Sequence, residues 1–215
     1  MYKKKSFFIT FEGIEGSGKS YQSHRLYKKI KKEKISAILT REPGGTKGAE
    51  IIRDIILKDY FHKNSKEQFK KYTDTLLYLA SRNEHVENKI RPAISKKKII
   101  LCDRFIDSTL AYQVYGKGVN KKLVDTIHKF ILRGVKPDLT FLLTAKINKA
   151  MKRLKKRKTK NRYDKFSKNF YNKVQKAFVK IAKSNSKRYF IVDNSNDTTD
   201  VEKIIYNRFM KLIKK

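Results

Sequence analysis

The 215-residue sequence contains one cysteine, three prolines, nine glycines and no tryptophan. The lone cysteine, Cys102, excludes a disulfide framework and favours a reducing compartment. Glycine and proline are too few for a linker, so we expect a single domain spanning residues 1–215. No stretch approaches the ~20 apolar residues of a membrane span. The short apolar run after the basic start leads into Glu12 and a glycine loop, so we predict no signal peptide. The sequence therefore predicts a soluble cytoplasmic protein with no membrane partner.

Acidic residues are scarce as well. Twenty Asp and Glu stand against 54 Lys and Arg, which gives a formal net charge of +34. Taken alone, this excess favours a nucleic-acid partner. The excess is mostly lysine spread over nearly every segment, together with many Ile, Asn, Tyr and Phe, a mixture that an AT-rich coding bias would produce on a solvated surface. We therefore expect no specific nucleic acid, although the charge favours a polyanionic small substrate.

Short apolar segments alternate along the chain with stretches of helical periodicity. The helical stretches include Lys19 to Lys32 and a last helix from about Asp200. The strand candidates are Phe7–Phe11, Ser36–Thr40, Ile99–Cys102, Leu139–Leu143 and Tyr189–Val192. This order predicts an α/β fold with a five-stranded parallel sheet and helices on both faces. Ligands are then expected at the carboxyl ends of the strands.

A phosphate-binding pattern, G-x-x-x-x-G-K-S/T, lies between the first strand and the first helix. Its members are Gly13, Ile14, Glu15, Gly16, Ser17, Gly18, Lys19 and Ser20. Glycines allow the backbone N–H groups to point at an anion, and the helix N-terminus adds its partial positive charge. Lys19 would reach the β- and γ-phosphates, and Ser20 would hold Mg²⁺. The alternative is a glycine-rich turn that happens to carry Lys-Ser. The strand–loop–helix context favours a nucleoside triphosphate site.

Polar residues also follow the second and third predicted strands. Arg41 begins a Pro-Gly-Gly loop, where it suits a second phosphate or, alternatively, a surface ion pair. Asp103 closes an apolar strand, as do carboxylates that act near Mg²⁺ in phosphate-loop proteins, although a turn residue would look the same. Arg104, next along the chain, can bind a phosphate through two parallel hydrogen bonds.

Two further groups indicate an acceptor site and a lid. Tyr78 and Arg82 are four residues apart on a helix and share a face, where they could stack on a base and hydrogen-bond its edge. Either one alone could equally be a core or surface residue. The basic run at about residues 152–165 suggests a lid that brings cations over a transferring phosphoryl group. A solvated basic helix is the alternative. Against the lysine background, three residues offer forked donors: Arg153, Arg157 and Arg162.

Four motifs occur together and in order: Phe11-Glu12-Gly13 leading into the glycine loop, Thr40–Thr46, Tyr78-x-x-x-Arg82, and Asp103-Arg104-Phe105-x-x-Ser108-x-x-Ala111-Tyr112-Gln113. This combination resembles bacterial-type thymidylate kinases, a family of P-loop nucleoside monophosphate kinases, over essentially the whole chain. The resemblance implies the P-loop kinase fold, transfer of the ATP γ-phosphoryl group to dTMP with Mg²⁺, products dTDP and ADP, and a homodimer.

The resemblance also implies roles for individual residues. Catalytic roles fall to Lys19, Asp103, Arg104, Arg153, Arg157 and Arg162. ATP binding falls to residues 13–20, and metal binding to Ser20 and Asp103. The dTMP site would comprise Glu15 at the sugar, Arg41 and Arg104 at the phosphate, Arg82 at the thymine edge, Tyr78 as the stacking ring, and Ser108, Thr109, Tyr112 and Gln113 along the pocket.

Some details depart from the family pattern or support a subtype. Gly16 beside an arginine-rich lid matches the bacterial type, in which the catalytic arginine comes from the lid. The usual lid ending Asp-Arg-x-Glu is here Asn161-Arg162-Tyr163-Asp164, so one carboxylate is lost. Tyr78 replaces a Phe and adds a hydroxyl that needs a partner if it is buried.

Two other functions stay open on the sequence. A related kinase of the same fold could act on UMP, CMP or dUMP, which a panel of phosphate acceptors would reveal. A nucleic-acid-binding ATPase would account for the charge of +34. ATP hydrolysis stimulated by DNA, with no transfer to dTMP, would favour the ATPase.

Overall fold

A computed structural model describes residues 6–58, 60, 67–157, 161–196 and 199–214. Residues 158–160 of the predicted lid lie outside this description. The five strands are β1 (Phe8–Glu12), β2 (Ala37–Arg41), β3 (Ile99–Asp103), β4 (Leu139–Thr144) and β5 (Tyr189–Asp193). They form a parallel sheet in the spatial order β2-β3-β1-β4-β5. Each predicted strand is confirmed to within one residue at either end.

Helices cover both faces of this sheet. The α-helices are α1 (Lys19–Lys32), α2 (Lys47–Leu57), α3 (Lys71–His85), α4 (Arg91–Ser95), α5 (Ile106–Thr109), α6 (Lys121–Leu132), α7 (Ile147–Lys155), α8 (Lys168–Lys183) and α9 (Thr199–Ile213). Two π-helical segments, Val86–Ile90 and Leu110–Gly116, extend α3 and α5, and a 3₁₀ turn spans Arg162–Lys165. No described helix has both the length and the apolar character needed to cross a bilayer.

Strand β1 lies at the centre of the sheet and is buried on both faces. Phe11 points with Leu26 and Phe209 into a core beneath α1 and α9. Phe8, on the opposite face, packs with residues of β3 and of the segment after α3. Because successive side chains of a strand point to opposite faces, the apolar run of β1 supplies two cores at once.

The sheet register brings the predicted site together. Phe11 pairs with Asp103, and Asp103 pairs with Arg41, so the carboxyl ends of β1, β3 and β2 lie at one level. The backbone N–H of Glu42 continues this ladder to the carbonyl of Asp103 at 2.9 Å. The glycine loop, the loop after Arg41 and the turn after Asp103 therefore meet at one edge, as expected for an open parallel sheet.

Candidate active site

The glycine loop is packed too closely for side chains. A Cβ atom on Gly13 would lie 2.2 Å from the carbonyl oxygen of Leu143, at the end of β4. A Cβ atom on Gly16 would lie 2.3 Å from the carbonyl oxygen of Ala150 on α7, and Gly16 also has a φ of +72°. Glycine is therefore required at both positions by space as well as by backbone conformation. The loop lies directly against α7, the helix that begins the predicted lid.

Lys19 folds back over this loop. Its ammonium group is buried and donates to the carbonyl oxygen of Ile14 at 2.6 Å. Burial, with the nearby positive charge of Arg104, lowers the pKa of Lys19 to about 8. A phosphate would restore the ordinary pKa by supplying the missing negative charge.

Ser20 and Asp103 form a pair with spare ligand capacity. The Ser20 hydroxyl donates to Oδ2 of Asp103. Oδ1 of Asp103 is buried and has no hydrogen-bond partner among the described residues. A hydroxyl and a carboxylate beside a phosphate loop fit Mg²⁺, which binds through one or two such ligands together with substrate phosphates. The predicted metal ligands are therefore adjacent, and one oxygen is unused.

Arg104 occupies the centre of the site in a strained backbone conformation. Its φ is +71°, which costs a non-glycine residue roughly 1–2 kcal/mol. The side chain donates to the Gly13 carbonyl oxygen at 3.0 Å, to the Ser108 hydroxyl oxygen at 3.1 Å and to Oε1 of Glu15 at 2.9 Å. Three contacts and a strained backbone fix the guanidinium between the glycine loop and the predicted acceptor pocket.

Two carboxylates support this arrangement. Glu15 accepts from Arg104 and from the hydroxyl of Tyr112. Glu12 is fully buried and accepts from the Phe105 N–H at 2.7 Å and the Ser108 hydroxyl at 2.6 Å. Burial and the neighbouring Asp107 carboxylate raise the pKa of Glu12 to about 8. The hydrogen bonds from Phe105 and Ser108 to Glu12 anchor the turn that carries Arg104.

Arg41 lies at the mouth of the pocket with a second arginine. Its Nη2 donates to both Glu50 carboxylate oxygens, at 3.1 and 2.9 Å. Arg53 on α2 lines the same cavity and donates to the Pro43 carbonyl oxygen at 2.6 Å. Burial and the nearby Arg41 lower the pKa of Arg53. Two cations held this close would favour an anion between them.

Arg82 lines the cavity and is 2% exposed. It donates through Nε to Oε2 of Glu42 at 2.8 Å, through Nη1 to the Thr109 hydroxyl oxygen at 2.8 Å, and through Nη2 to the Phe105 carbonyl oxygen at 3.0 Å. This buried ion pair is well satisfied by hydrogen bonds, so the guanidinium is held in one orientation.

Aromatic rings form the wall beside Arg82. The Tyr78 ring meets Tyr163 edge to face, with centroids 6.0 Å apart, and Tyr112 meets Tyr163 at 6.3 Å. Tyr163 is buried, and its hydroxyl donates to Asp74 at 2.8 Å. A planar base entering this pocket would therefore lie against three tyrosine rings, which come from α3, from the π-helical segment Leu110–Gly116 and from the predicted lid.

The lid arginines divide into two groups. Arg153 on α7 donates to the carbonyl oxygens of Gly16, at 3.0 Å, and Asn194, at 2.8 Å, and it lines the cavity together with Arg157. Arg162 is directed elsewhere, toward the Ile56 carbonyl oxygen and the buried carboxylate of Asp74. The structure does not bring Arg162 into the cavity, so its role at the phosphates stays a prediction.

These parts line one cavity of about 480 Å³. Three predicted loop residues, Gly13, Ile14 and Ser17, lie behind its surface. The predicted residues that line it are Glu15, Gly16, Gly18, Lys19, Ser20, Arg41, Tyr78, Arg82, Asp103, Arg104, Ser108, Thr109, Tyr112, Gln113, Arg153 and Arg157. Residues of the glycine loop and the aromatic residues Tyr78 and Tyr112 thus line the same cavity.

Residues 11–205 match the family model described as thymidylate kinase. The chain belongs to the thymidylate kinase family. Members of this family are nucleoside monophosphate kinases that phosphorylate dTMP to dTDP with ATP. The sequence resemblance to this family is therefore confirmed.

Individual thymidylate kinases are similar over nearly the full length. A thymidylate kinase from Sulfurihydrogenibium sp. is 38% identical and aligns with 93% of this chain and 94% of its own length. One from Wolbachia pipientis wMel is 44% identical over 81% of this chain and 84% of its own. The crystal structure of thymidylate kinase from Ehrlichia chaffeensis superposes with a TM-score of 0.74 and 33% identity, covering 95% of this chain and 99% of that one. The P-loop kinase fold expected from the sequence is therefore also confirmed.

Several residues of this thymidylate kinase site were not singled out from the sequence. Glu42 lies inside the Thr40–Thr46 motif, yet only the fold shows that it binds Arg82. Arg53 offered one signal, since it is an arginine where lysine is the usual cation. The sequence carried no such signal for Tyr163 or Asp74. A tyrosine in a basic run and an acidic residue near the start of a helix are both common without any functional role.

Proposed function

We propose that this chain transfers the γ-phosphoryl group of Mg²⁺-bound ATP to dTMP, forming dTDP and ADP. The observation that supports this most directly is the position of Arg104 between two subsites of one cavity. The glycine loop with Lys19 lies on one side of it, and the pocket of Tyr78 and Arg82 lies on the other.

ATP would bind at the glycine loop. The loop N–H groups and the N-terminus of α1 would hold its phosphates, and Lys19 would exchange the Ile14 carbonyl oxygen for a phosphate oxygen. Ser20 and Asp103 would hold the Mg²⁺, using the unpartnered Oδ1 of Asp103. The bound ion would offset negative charge on the phosphate oxygens.

The acceptor would lie across the cavity from ATP. Its phosphate would bind Arg104 and the pair Arg41 and Arg53, which line the same cavity. Glu15 would face the sugar. The base would stack on Tyr78 and meet Arg82 at its edge, because Arg82 is a buried guanidinium that lines the cavity and lies one helical turn from Tyr78 on α3.

The lid, about residues 152–165, would bring Arg153 and Arg157 to the transferring group. Phosphoryl transfer through a loose transition state needs alignment of the two nucleotides and positive charge around the equatorial oxygens. The arginines supply both, since a guanidinium is a rigid, always charged donor. We also propose that Arg162 joins them when the lid changes position and releases Asp74.

We further propose a cytoplasmic homodimer. The outer faces of α2, α3 and α6 carry large apolar side chains in contact with water: Ile51, Tyr72, Leu76, Leu123 and Phe130. Exposed apolar residues on three neighbouring helices support an interface with a second copy. The reduced, buried thiol of Cys102 is consistent with a reducing compartment.

The test is a panel of phosphate acceptors with Mg²⁺ and ATP. We expect dTMP to be phosphorylated in preference to dUMP, UMP and CMP. Arg104→Ala should lower kcat/KM by about a thousandfold or more, since it removes a group at the reacting phosphates. Arg133→Ala, which alters an exposed arginine paired with Glu87, should leave turnover unchanged.

Other results would contradict the proposal. Preference for CMP or UMP would overturn the acceptor, and near-normal turnover by Arg104→Ala would overturn the site. DNA-stimulated ATP hydrolysis without transfer to dTMP would instead favour a nucleic-acid-binding ATPase. Salt-dependent DNA binding alone would not favour the ATPase, because any chain with this net charge binds polyanions.

A further inference from the structure

Arg82 has a fourth partner, the imidazole of His128 on α6. Nη1 of Arg82 lies 2.8 Å from Nε2 of His128. Both side chains are buried, and His128 is 8% exposed. The two residues are 46 positions apart in the sequence. The contact therefore joins α6 to the residue that is proposed to meet the edge of the base.

The chemistry of this contact fixes the state of the histidine. A guanidinium nitrogen offers only hydrogens, so Nε2 of His128 must accept, and the ring is neutral with its proton on Nδ1. Burial and the charge of Arg82 lower the pKa of His128 to about 3. His128 therefore stays an acceptor at every pH at which the enzyme would be assayed.

The contacts account for almost every donor of Arg82. A guanidinium has five N–H groups. Four of them meet Oε2 of Glu42, the Thr109 hydroxyl, Nε2 of His128 and the Phe105 carbonyl oxygen. Within the described residues, one hydrogen on Nη2 is left for a ligand in the cavity that Arg82 lines.

A single fixed donor can distinguish pyrimidine bases. Thymine presents a carbonyl oxygen at O4, which accepts a hydrogen bond, whereas cytosine presents an amino group that only donates. A guanidinium held in one orientation meets the cytosine amino group donor to donor. If the guanidinium could rotate, water or a shifted base pose would relieve that conflict.

We propose that His128 is a positioning residue for acceptor specificity, holding Arg82 so that its one free N–H faces the base. This inference rests on the proposed role of Arg82 at the base edge. Glu42 supplies the opposite charge, and Thr109 and Phe105 supply two further acceptors. His128 satisfies the second Nη1 hydrogen, which would otherwise be free to seek a partner in the cavity.

Two nearly isosteric substitutions separate hydrogen bonding from packing. Gln reaches the position of Nε2 with an amide oxygen, whereas Met has similar length and volume and only a weak sulfur acceptor. Val124→Ala on the same helix is the control for packing. Val124 is fully buried, and it is not among the residues that line the cavity. The readouts are kcat, the KM values for dTMP and ATP, and the ratio of kcat/KM for dTMP over dCMP.

We expect His128→Met to raise the KM for dTMP about tenfold, the scale of one lost hydrogen bond to a charged group. The dTMP to dCMP ratio should fall, while the KM for ATP and kcat stay within about twofold, since the donor half is untouched. His128→Gln should recover most of both losses. Val124→Ala should lower the melting temperature without changing the ratio.

Arg82→Gln, measured in parallel, separates this inference from the proposed function. If Arg82→Gln raises the KM for dTMP but His128→Met does not, the inference is wrong and the proposed site stands. If Arg82→Gln has no effect, the base-edge role and the inference both fail. Equal losses in His128→Met and His128→Gln would also overturn the inference, because packing alone would then explain them.

Discussion

Lys19 shows how burial changes the charge state of a residue before its ligand arrives. Lys19 is 5% exposed, and its ammonium group donates to the Ile14 carbonyl oxygen and the Ser17 hydroxyl oxygen, so water can do little to stabilise its charge. With the pKa lowered to about 8, Lys19 is neutral in more than half of the enzyme molecules above that pH. ATP bound at the glycine loop would supply the missing negative charge and raise this pKa, which links ATP binding to protonation of Lys19.

We therefore expect ATP binding to take up more protons at pH 9 than at pH 7. The affinity for ATP should fall with increasing pH above about 8. Calorimetry in two buffers of different ionisation enthalpy measures the uptake directly. Lys19→Met should remove the difference between the two pH values. An uptake that is the same at pH 7 and pH 9 in the unmodified chain would contradict this assignment.

Glu12 makes a related prediction about stability. Its pKa is raised from 4.5 to about 8, so between these values the native state holds a proton that the unfolded state has lost. Native stability attributable to Glu12 is full below pH 4.5 and is lost as the pH rises toward 8. Glu12→Gln keeps an acceptor for the Phe105 N–H and removes the titration.

The free energy of unfolding should therefore fall between pH 5.5 and 8.5 more steeply in the unmodified chain than in Glu12→Gln. The expected difference is on the order of a few kcal/mol. Urea unfolding at both pH values measures it. Parallel pH profiles for the two proteins would show that Glu12 does not titrate in this interval.

At the scale of elements, the glycine loop packs directly against α7, the helix that begins the predicted lid. The Gly16 backbone lies so close to Ala150 that a Cβ would come within 2.3 Å of its carbonyl oxygen. One turn later, Arg153 donates back to the Gly16 carbonyl oxygen. The helix that starts the predicted lid thus packs on the loop that we propose to hold ATP.

Gly16→Ala should displace α7 and lower kcat at least tenfold, because a misplacement on the order of 1 Å of a positioning group has an effect of this size. The matched control is Gly134→Ala, which has a φ of +85° but open space around its Cβ. Both variants should lose about 1 kcal/mol of stability from backbone strain. An equal loss of kcat in both would refute the packing argument.

The lid itself offers a second prediction. Arg157 lines the cavity and reaches Asp164 at 3.4 Å, so its guanidinium is only loosely held. Arg157→Lys keeps the charge but loses the forked donor. It should lower kcat more than it raises the KM for dTMP, because the contact strengthens in the transition state. Steady-state kinetics decides, and a change in KM alone would argue against the lid role.

At the scale of the whole molecule, the exposed apolar face on α2, α3 and α6 predicts self-association. Phe130 is 75% exposed and Ile51 is 67% exposed. Light scattering after size-exclusion chromatography should give twice the chain mass. Phe130→Glu should give a monomer, whereas Ile204→Glu on α9, which is 44% exposed, should leave the dimer intact. A monomeric unmodified chain would remove the proposed interface.

Local patterns in the sequence were sufficient for the strand order along the chain, the glycine loop, and the pairing of Tyr78 with Arg82 on one face. Buried parallel strands need continuous apolar runs, and close backbone packing around a phosphate loop needs glycine. Both requirements act over a few residues, so they are visible in the sequence. The motif combination extended this to the family and to most of the cavity lining.

Only the tertiary structure decided how those residues are held. Arg82 meets Glu42 and His128 at separations of 40 and 46 residues, and Arg162 meets Asp74 at a separation of 88. Nothing in a local window marks a buried acid, a neutral histidine or a basic residue as one half of such a pair. Hydrogen-bond pairing depends on positions in space, and those are set when the strands and helices pack together.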